Sequence, residues 1–288
     1  MQKIFKDSFL HIKIKMKKNR LFMFLGILIL AVSVFVVAKR DFVSTENTAG
    51  NSFEIPAHAV QISEGVFSLG TARDVDGRLV QGFMFVDDKR ENAKPAGVGG
   101  SKGSTCYAFL AKGAKWKTVE PYMVDPANNA ELGAVFVRSN LAFDISKWET
   151  AAGTNINILG NENVSGVVNR TNIGNLNGKN EVIFADVGSS GTIAVTIVWG
   201  IFSGPIQNRE LVEWDQIYDD VDFAWSSTGS SGAMDFENIA THELGHSVGM
   251  GHPSSECAEE TMYAFASFGE TKKRDLNAGD IAGINSLY

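Results

Sequence analysis

The sequence predicts an α+β fold, and three observations predict it. Short apolar and β-branched segments fill residues 58–86 and much of 116–218. One segment at helical spacing, Val135–Ala152, interrupts them. Two further helical segments, Phe236–Val248 and Ala278–Leu287, close the chain around a histidine cluster. Twenty-nine glycines against six prolines fit a body rich in turns.

The N-terminal 38 residues stand outside that fold. Residues 1–20 hold seven Lys/Arg and one acid, Asp7, and residues 21–38 (LFMFLGILILAVSVFVVA) carry no charge. Eighteen apolar residues lie at the lower edge of what crosses a bilayer, and are more than a usual signal-peptide core. The basic flank predicts a cytoplasmic N-terminus and an exported remainder. Small residues at Val36-Val37-Ala38 leave open whether the segment is cleaved or stays as an anchor, so the protein is expected to be secreted or membrane-anchored with its domain outside. The segment's net +6 leaves −13 on residues 39–288 of a chain that totals −7. So acidic a remainder argues against nucleic-acid binding.

The elements follow in order. Residues 39–51 read as a linker of small polar residues. Residues 52–105 read as a small β-rich pre-region: Val66–Leu69 and Leu79–Val86 flank the turn Asp76-Gly77, and a charged, then glycine-rich stretch (87–103) closes it. From Cys106 onwards, residues 116–124, 155–159, Glu181–Val187, Thr192–Trp199 and Leu211–Tyr218 read as strands. Val135–Ala152 is a helix that stops at Gly153. Asp235 caps the helix Phe236–Val248, whose apolar positions Phe236, Ala240, Leu244 and Val248 recur every four residues. Asn277 and Asp280 form a capping box that opens the last helix.

Residues 242–252, HELGHSVGMGH, carry the chemistry. His242 and His246 are one turn apart on one helix face, a spacing that suits a single Zn²⁺ held by neutral imidazoles. His252 would lie about 9 Å further along a continuous helix and on another face. The helix must therefore end, and Gly249 stands where a left-handed residue would end it. Glu243 projects beside the metal, where it can act as general base.

Two cysteines, Cys106 and Cys257, fall in the exported part. They are candidates for a disulfide, for a thiolate from Cys106 capping the metal, or for two buried thiols.

The motif H-E-x-x-H-x-x-G-x-x-H, followed by Thr261-Met262-Tyr263 and the ending DIAGINSLY, resembles the metzincin zinc peptidases and most of all the matrixins. Weaker likenesses are Lys115-Trp116 with its strand and the stretch Gly178–Asp186. The resemblance covers residues 106–288 and implies a catalytic domain with a twisted, mostly parallel five-stranded sheet, a long zinc helix and a C-terminal helix. It implies endopeptidase action on proteins or peptides by a monomer, with His242, His246 and His252 as ligands, Glu243 as base and Met262 as a floor beneath the metal. Ala264 stands where related groups place a zinc-touching tyrosine, and only His11 and His58 remain for a second zinc, so one catalytic Zn²⁺ is expected. The latency motif of the vertebrate members is absent around Cys106, which favours the disulfide. Pro253 departs from the matrixin pattern, which has serine there. Ca²⁺ has a candidate site in the acidic and amide-rich loop Asn172–Asn180.

Overall fold

The computed structural model describes residues 52–90, 105–129, 132–153 and 157–288. The apolar run 21–38, the linker 39–51 and most of the glycine-rich stretch lie outside the described residues. Among the described residues, no helix is long and apolar enough to cross a membrane.

The strands are β1 (Val60–Ser63), β2 (Val66–Arg73), β3 (Leu79–Lys89), β4 (Ala108–Phe109), β5 (Tyr122–Val124), β6 (Asn180–Ala185), β7 (Thr192–Ile201), β8 (Glu210–Asp219), β9 (Trp225–Ser226), β10 (Met234–Asp235), β11 (Met250–Gly251) and β12 (Phe265–Ala266). The helices are α1 (Ala134–Ala151), α2 (Phe236–Ser247) and α3 (Ala278–Leu287). One eight-stranded sheet runs β1-β2-β3-β7-β8-β6-β5, with β12 paired to β3. Within it β5, β6 and β8 are parallel and β7 is antiparallel to β8. This is the α+β arrangement expected, with a larger sheet than the five strands anticipated.

The extra strands come from the pre-region. β3 pairs antiparallel with β7 from Gln81↔Gly200 to Asp88↔Thr192, and β2 and β1 extend the sheet beyond it. The turn Asp74–Arg78 reverses the chain between β2 and β3, with Gly77 at φ +79° and the Asp74 carboxylate accepting the backbone N–H groups of Asp76 and Arg78. Of the segment 155–159, expected as a strand, the described residues 157–159 pair with no strand. Residues 154–156 lie outside the described residues, Ile158 and Leu159 are buried without strand pairing, and only a single bridge from Tyr122 to Glu162 follows. Likewise only Tyr122–Val124 of the expected strand 116–124 pairs with a neighbour.

Each face of the sheet carries its own core. On one, α1 and α2 pack around Trp148, Trp214, Phe184, Tyr218 and Phe236. On the other, Val80, Met84 and Val86 of β3 and Leu69 of β2 pack with Ile183, Val195, Ile197, Trp199 and Ile217. The second core is shared between pre-region and C-terminal strands, so the pre-region is built into the fold. Met84 is fully buried, and Met84→Ala should cost about 2–5 kcal/mol in urea unfolding. A change below about 0.5 kcal/mol, the range of ordinary surface substitutions, would show that the two regions do not share a core.

The loop 172–180 is pinned from below by buried carboxylates on β8. Asp215 accepts from Gly174 N at 2.8 Å, and Glu213 from the backbone N–H groups of Asn177 and Gly178. Burial pushes Glu213 up to about 7 from the usual 4.5, although those N–H groups work to lower it. A group raised in this way contributes stability that is whole below pH 4.5 and lost as pH rises to about 7. Glu213→Gln should reduce the fall in unfolding free energy across that window by roughly 2–3 kcal/mol. Parallel pH profiles for the two proteins would contradict the shift.

Candidate metal centre and active site

The site is assembled by ending one helix on time. Asp235 caps α2 by accepting from Asn238 N at 3.0 Å, and its carboxylate also pairs with Arg274. After Ser247 the chain turns through Gly249 at φ +105°. A Cβ there would stand 3.0 Å from both Ala114 O and Leu287 Cδ2, so space as well as backbone angle calls for glycine. Met250-Gly251 then pairs with Ala108-Phe109 as the small sheet β11-β4, which carries His252 back over the helix. A bond between Cys106 and Cys257 ties the ends of this loop.

The three imidazoles converge. His252 Nε2 lies 3.0 Å from His246 Nε2 and 3.3 Å from His242 Nε2. The opposite ring nitrogens are spoken for. His242 Nδ1 donates to Thr261 O at 2.6 Å and His246 Nδ1 to Met250 O at 2.9 Å. A carbonyl only accepts, so these rings carry their proton on Nδ1 and direct the Nε2 lone pair inward. Burial lowers the pKa of both: Lys273 adds to the effect at His242, and the neighbouring histidines at His246. Neutral, inward-facing nitrogens are what a divalent ion requires. Two ligands at about 2.0–2.1 Å from a tetrahedral ion lie about 3.3 Å apart. The donor set fits Zn²⁺ by distance, protonation and orientation.

Glu243 sits alongside. Its Oε2 accepts from Thr196 Oγ1 of β7 at 2.5 Å, and its Oε1 is buried without a partner. Burial, then the neighbouring Asp87 carboxylate, push its pKa well up. Met262 is fully buried beneath α2, and Gly245 makes room for it. The turn around Met262 is held by Asp280, which accepts from Thr261 N at 2.7 Å and Met262 N at 3.1 Å. Asp280 also completes the capping box of α3. Of the two phenylalanines that follow, Phe265 is buried under Arg90, and Phe268 is partly exposed beneath Lys89.

The structure therefore gathers Glu243, His242, His246, His252, Gly249 and Met262 in one place, and adds residues that sequence reasoning missed. Thr196 orients Glu243. Lys273, fully buried, donates to Tyr263 O on the far side of His242. Asp87 of β3 places Oδ2 3.0 Å from His242 Nε2 and Oδ1 3.1 Å from His252 Nε2. Burial works to raise the Asp87 carboxyl, but His242 and His252 outweigh it and hold it well below the usual range. The one sequence signal for Asp87 is a carboxylate that breaks the apolar run 83–86.

A hollow of about 260 Å³ borders His252, between Ile62, Val66, Phe83 and Phe109. A roomier one of about 680 Å³, lined by Asp125, Arg170 and Asp220, holds none of these residues. Phe83 and Phe85 of β3 line the hollow beside His252.

Residues 203–288 match the matrixin family. This segment is similar in sequence to the matrixins. Metalloendoproteinase 1-MMP of Arabidopsis thaliana is 48% identical over 56 residues, which are 19% of this chain and 15% of that protein. Human matrilysin is 45% identical over 69 residues, 24% of this chain and 25% of the relative. Metalloendoproteinase 2-MMP of Arabidopsis thaliana is 38% identical over 76 residues, 24% of this chain and 19% of that protein. The chain thus spans a quarter or less of the length of these matrixin relatives.

A Cβ added at Gly245 would stand 2.1 Å from Met262 Sδ and 2.7 Å from Trp148 Cζ2. Gly245→Ala should therefore destabilise the fold by about 1–3 kcal/mol and weaken Zn²⁺ binding roughly tenfold or more, read by thermal unfolding and chelator competition. Unchanged values in both would mean that Met262 does not support the histidine helix.

Proposed function

We propose that the protein is a zinc-dependent endopeptidase acting on proteins or peptides outside the cell. The observation that supports this most is the three-nitrogen cluster with Glu243 beside it, on a segment that matches the matrixins. His242, His246 and His252 would hold one Zn²⁺. Bound there, the ion supplies Lewis acidity, polarising the scissile carbonyl and making its water a better acid. Glu243 takes the proton from the attacking water and returns it to the leaving amine, held at the right angle by Thr196. Strand β7, which carries β3 along its outer side, would present a substrate with an edge for pairing as an added strand only where β3 leaves it. Met262 and the turn fixed by Asp280 keep the helix in register beneath the ligands. Export rests on residues 1–38, which would be either cleaved or retained as an anchor.

Casein or gelatin hydrolysis by the protein recovered outside the cell, with Glu243→Ala alongside, tests the reading. The variant should keep one zinc per chain and lose about 10²–10⁴-fold in rate. Equal rates in the two proteins with zinc bound would sink it.

A further inference from the structure

We infer that a basic hollow across Phe109 from the histidine cleft is a substrate exosite, and that it takes an acidic stretch of polypeptide N-terminal to the bond cut. The inference rests on the peptidase reading and adds the substrate class of that site.

The hollow, of about 500 Å³, lies between the loop that follows β4 and the loop that joins β7 to β8. Lys112, Lys115, Lys117 and Arg209 line it beside an aromatic wall of Tyr107 and Phe109, and among the described residues no Asp or Glu does. Residues 39–288 sum to −13, so four cations in one hollow run against the charge of the rest. Lys117 is neutralised by Glu210 at 3.1 Å. Arg209 donates to two carbonyls, Gly204 O at 3.1 Å and Lys112 O at 2.9 Å, which fix the guanidinium and leave its charge in place. Lys115 Nζ stands 3.5 Å from Tyr288 O. The Lys112 ammonium is exposed and has no partner among the described residues. A concave patch of one sign concentrates ligands of the other. The aromatic wall and the exposed Ile206 add apolar surface, which a polypeptide with apolar side chains among its carboxylates can cover and a sulfated glycan cannot.

The hollow is fixed to the metal centre. Leu110 N donates to Gly249 O at 3.0 Å and Trp116 Nε1 to Ser247 O at 2.7 Å, so its floor hangs on the reversal that carries His252. Its two loops touch at Gly113, at φ +80°, where a Cβ would stand 2.4 Å from Ile206 Cγ2. Phe109 also lines the smaller hollow beside His252, so the two hollows share a wall. Strand pairing sets the direction of an occupant. β3 runs antiparallel to β7 and parallel to β12. A substrate strand paired antiparallel on the same edge runs the same way. Along β3, Phe83 and Phe85 come before Asp87, which faces His242, and both line the hollow beside His252. Chain N-terminal to the cut therefore leads toward Phe109 and the cations beyond it. No β3 residue lines the basic hollow, so binding there does not depend on where β3 lies.

The test uses the full-length, zinc-loaded protein. Wild type is compared with Lys112→Ala/Lys115→Ala, with Lys112→Ala alone, and with Lys179→Ala, an exposed lysine outside the hollow. A labelled peptide of Glu and Leu and its Gln-for-Glu counterpart are titrated by fluorescence anisotropy in low and high salt. Wild type and Lys179→Ala should bind the Glu peptide roughly tenfold tighter or more than the Gln peptide, and salt should shrink that preference. The double variant should lose it; should that variant fail to fold, Lys112→Ala decides. A casein peptide that wild type cuts, with Asp or Glu before the cut, is then compared with its Asn and Gln version. The exchange should raise KM and leave kcat for wild type, and change neither for the double variant. Equal binding of the two labelled peptides by wild type, an undiminished preference in the double variant, or a KM that ignores the exchange would overturn the inference. So would displacement of the Glu peptide by heparin fragments at lower concentration than by unlabelled peptide, or dimers of wild type that the double variant abolishes. Those two results would assign the hollow to a sulfated glycan and to a second copy of the chain. Salt-sensitive binding that the double variant loses, with no casein peptide cut by any of the proteins, would uphold the acidic-peptide site and sink the peptidase.

Discussion

The architecture around the site depends on bringing three ring nitrogens to one point from two elements that cannot both be helix. His242 and His246 come with α2, but His252 arrives only because the chain reverses at Gly249. That reversal is costly to hold, and much of the molecule holds it. The β11-β4 pairing, the Cys106–Cys257 bond, the Trp116 Nε1 bond to Ser247 O at 2.7 Å and the Tyr288 hydroxyl bond to Val248 O at 3.0 Å all converge on the same few residues. The proton positions follow from this frame. Thr261 O and Met250 O reach the rings because the turn and strand that carry them are themselves fixed, by Asp280 and by β4 respectively.

The same frame explains why the electrostatics of the site are severe. Glu243, Asp87, Lys273 and two of the histidines are all buried within a few residues' reach of one another. Burial disfavours charge on every one of them, and only pairing or a cation offsets it. Burial raises the Asp87 carboxyl, the facing His242 and His252 outweigh it, and Asp87 in turn works with burial to push the Glu243 carboxyl up. A divalent ion among the nitrogens changes the balance for all of them at once.

Much of this was legible in the sequence. Spacing alone located α2, the Gly249 stop, the caps at Asp235 and Asn277, and the three clustered histidines, because a helix has a fixed period and few residues end it. The turn Asp74–Arg78 and the strands on either side were legible for the same local reasons. What could not be read was pairing at a distance. That β3 lies against β7, more than a hundred residues later in the chain, is a matter of which edge is free, and alternation in either strand does not say so. By sequence, Asp87 is only the first residue of the charged, then glycine-rich stretch 87–103 that closes the pre-region. Thr196 and Lys273 were missed for a related reason: each lies in a segment whose own pattern is explained without the site. In the described part of the segment expected as a strand at 155–159, the backbone N–H groups of the buried Ile158 and Leu159 go to the Glu149 side chain instead of a neighbouring strand.

Strand β3 has two roles that pull in opposite directions. A peptide substrate competing for the β7 edge can replace the backbone hydrogen bonds of β3 one for one. It cannot replace the burial of Val80, Met84 and Val86, each contributing about 1.5–3 kcal/mol, because those side chains belong to the outer core. Nor does it match the effective concentration of a strand on the same chain, which is of millimolar order even for a flexible link. Pairing of an external strand with β7 thus needs more than an excess of that strand. Either the β1-β2-β3 layer must be removed, which bares the sheet face of Ile197 and Trp199, or the site must recognise substrates that strip the strand from its edge. The first demands that the outer face tolerate exposure or find a new cover. That demand makes the outer core the part of the fold that decides whether β3 can leave β7.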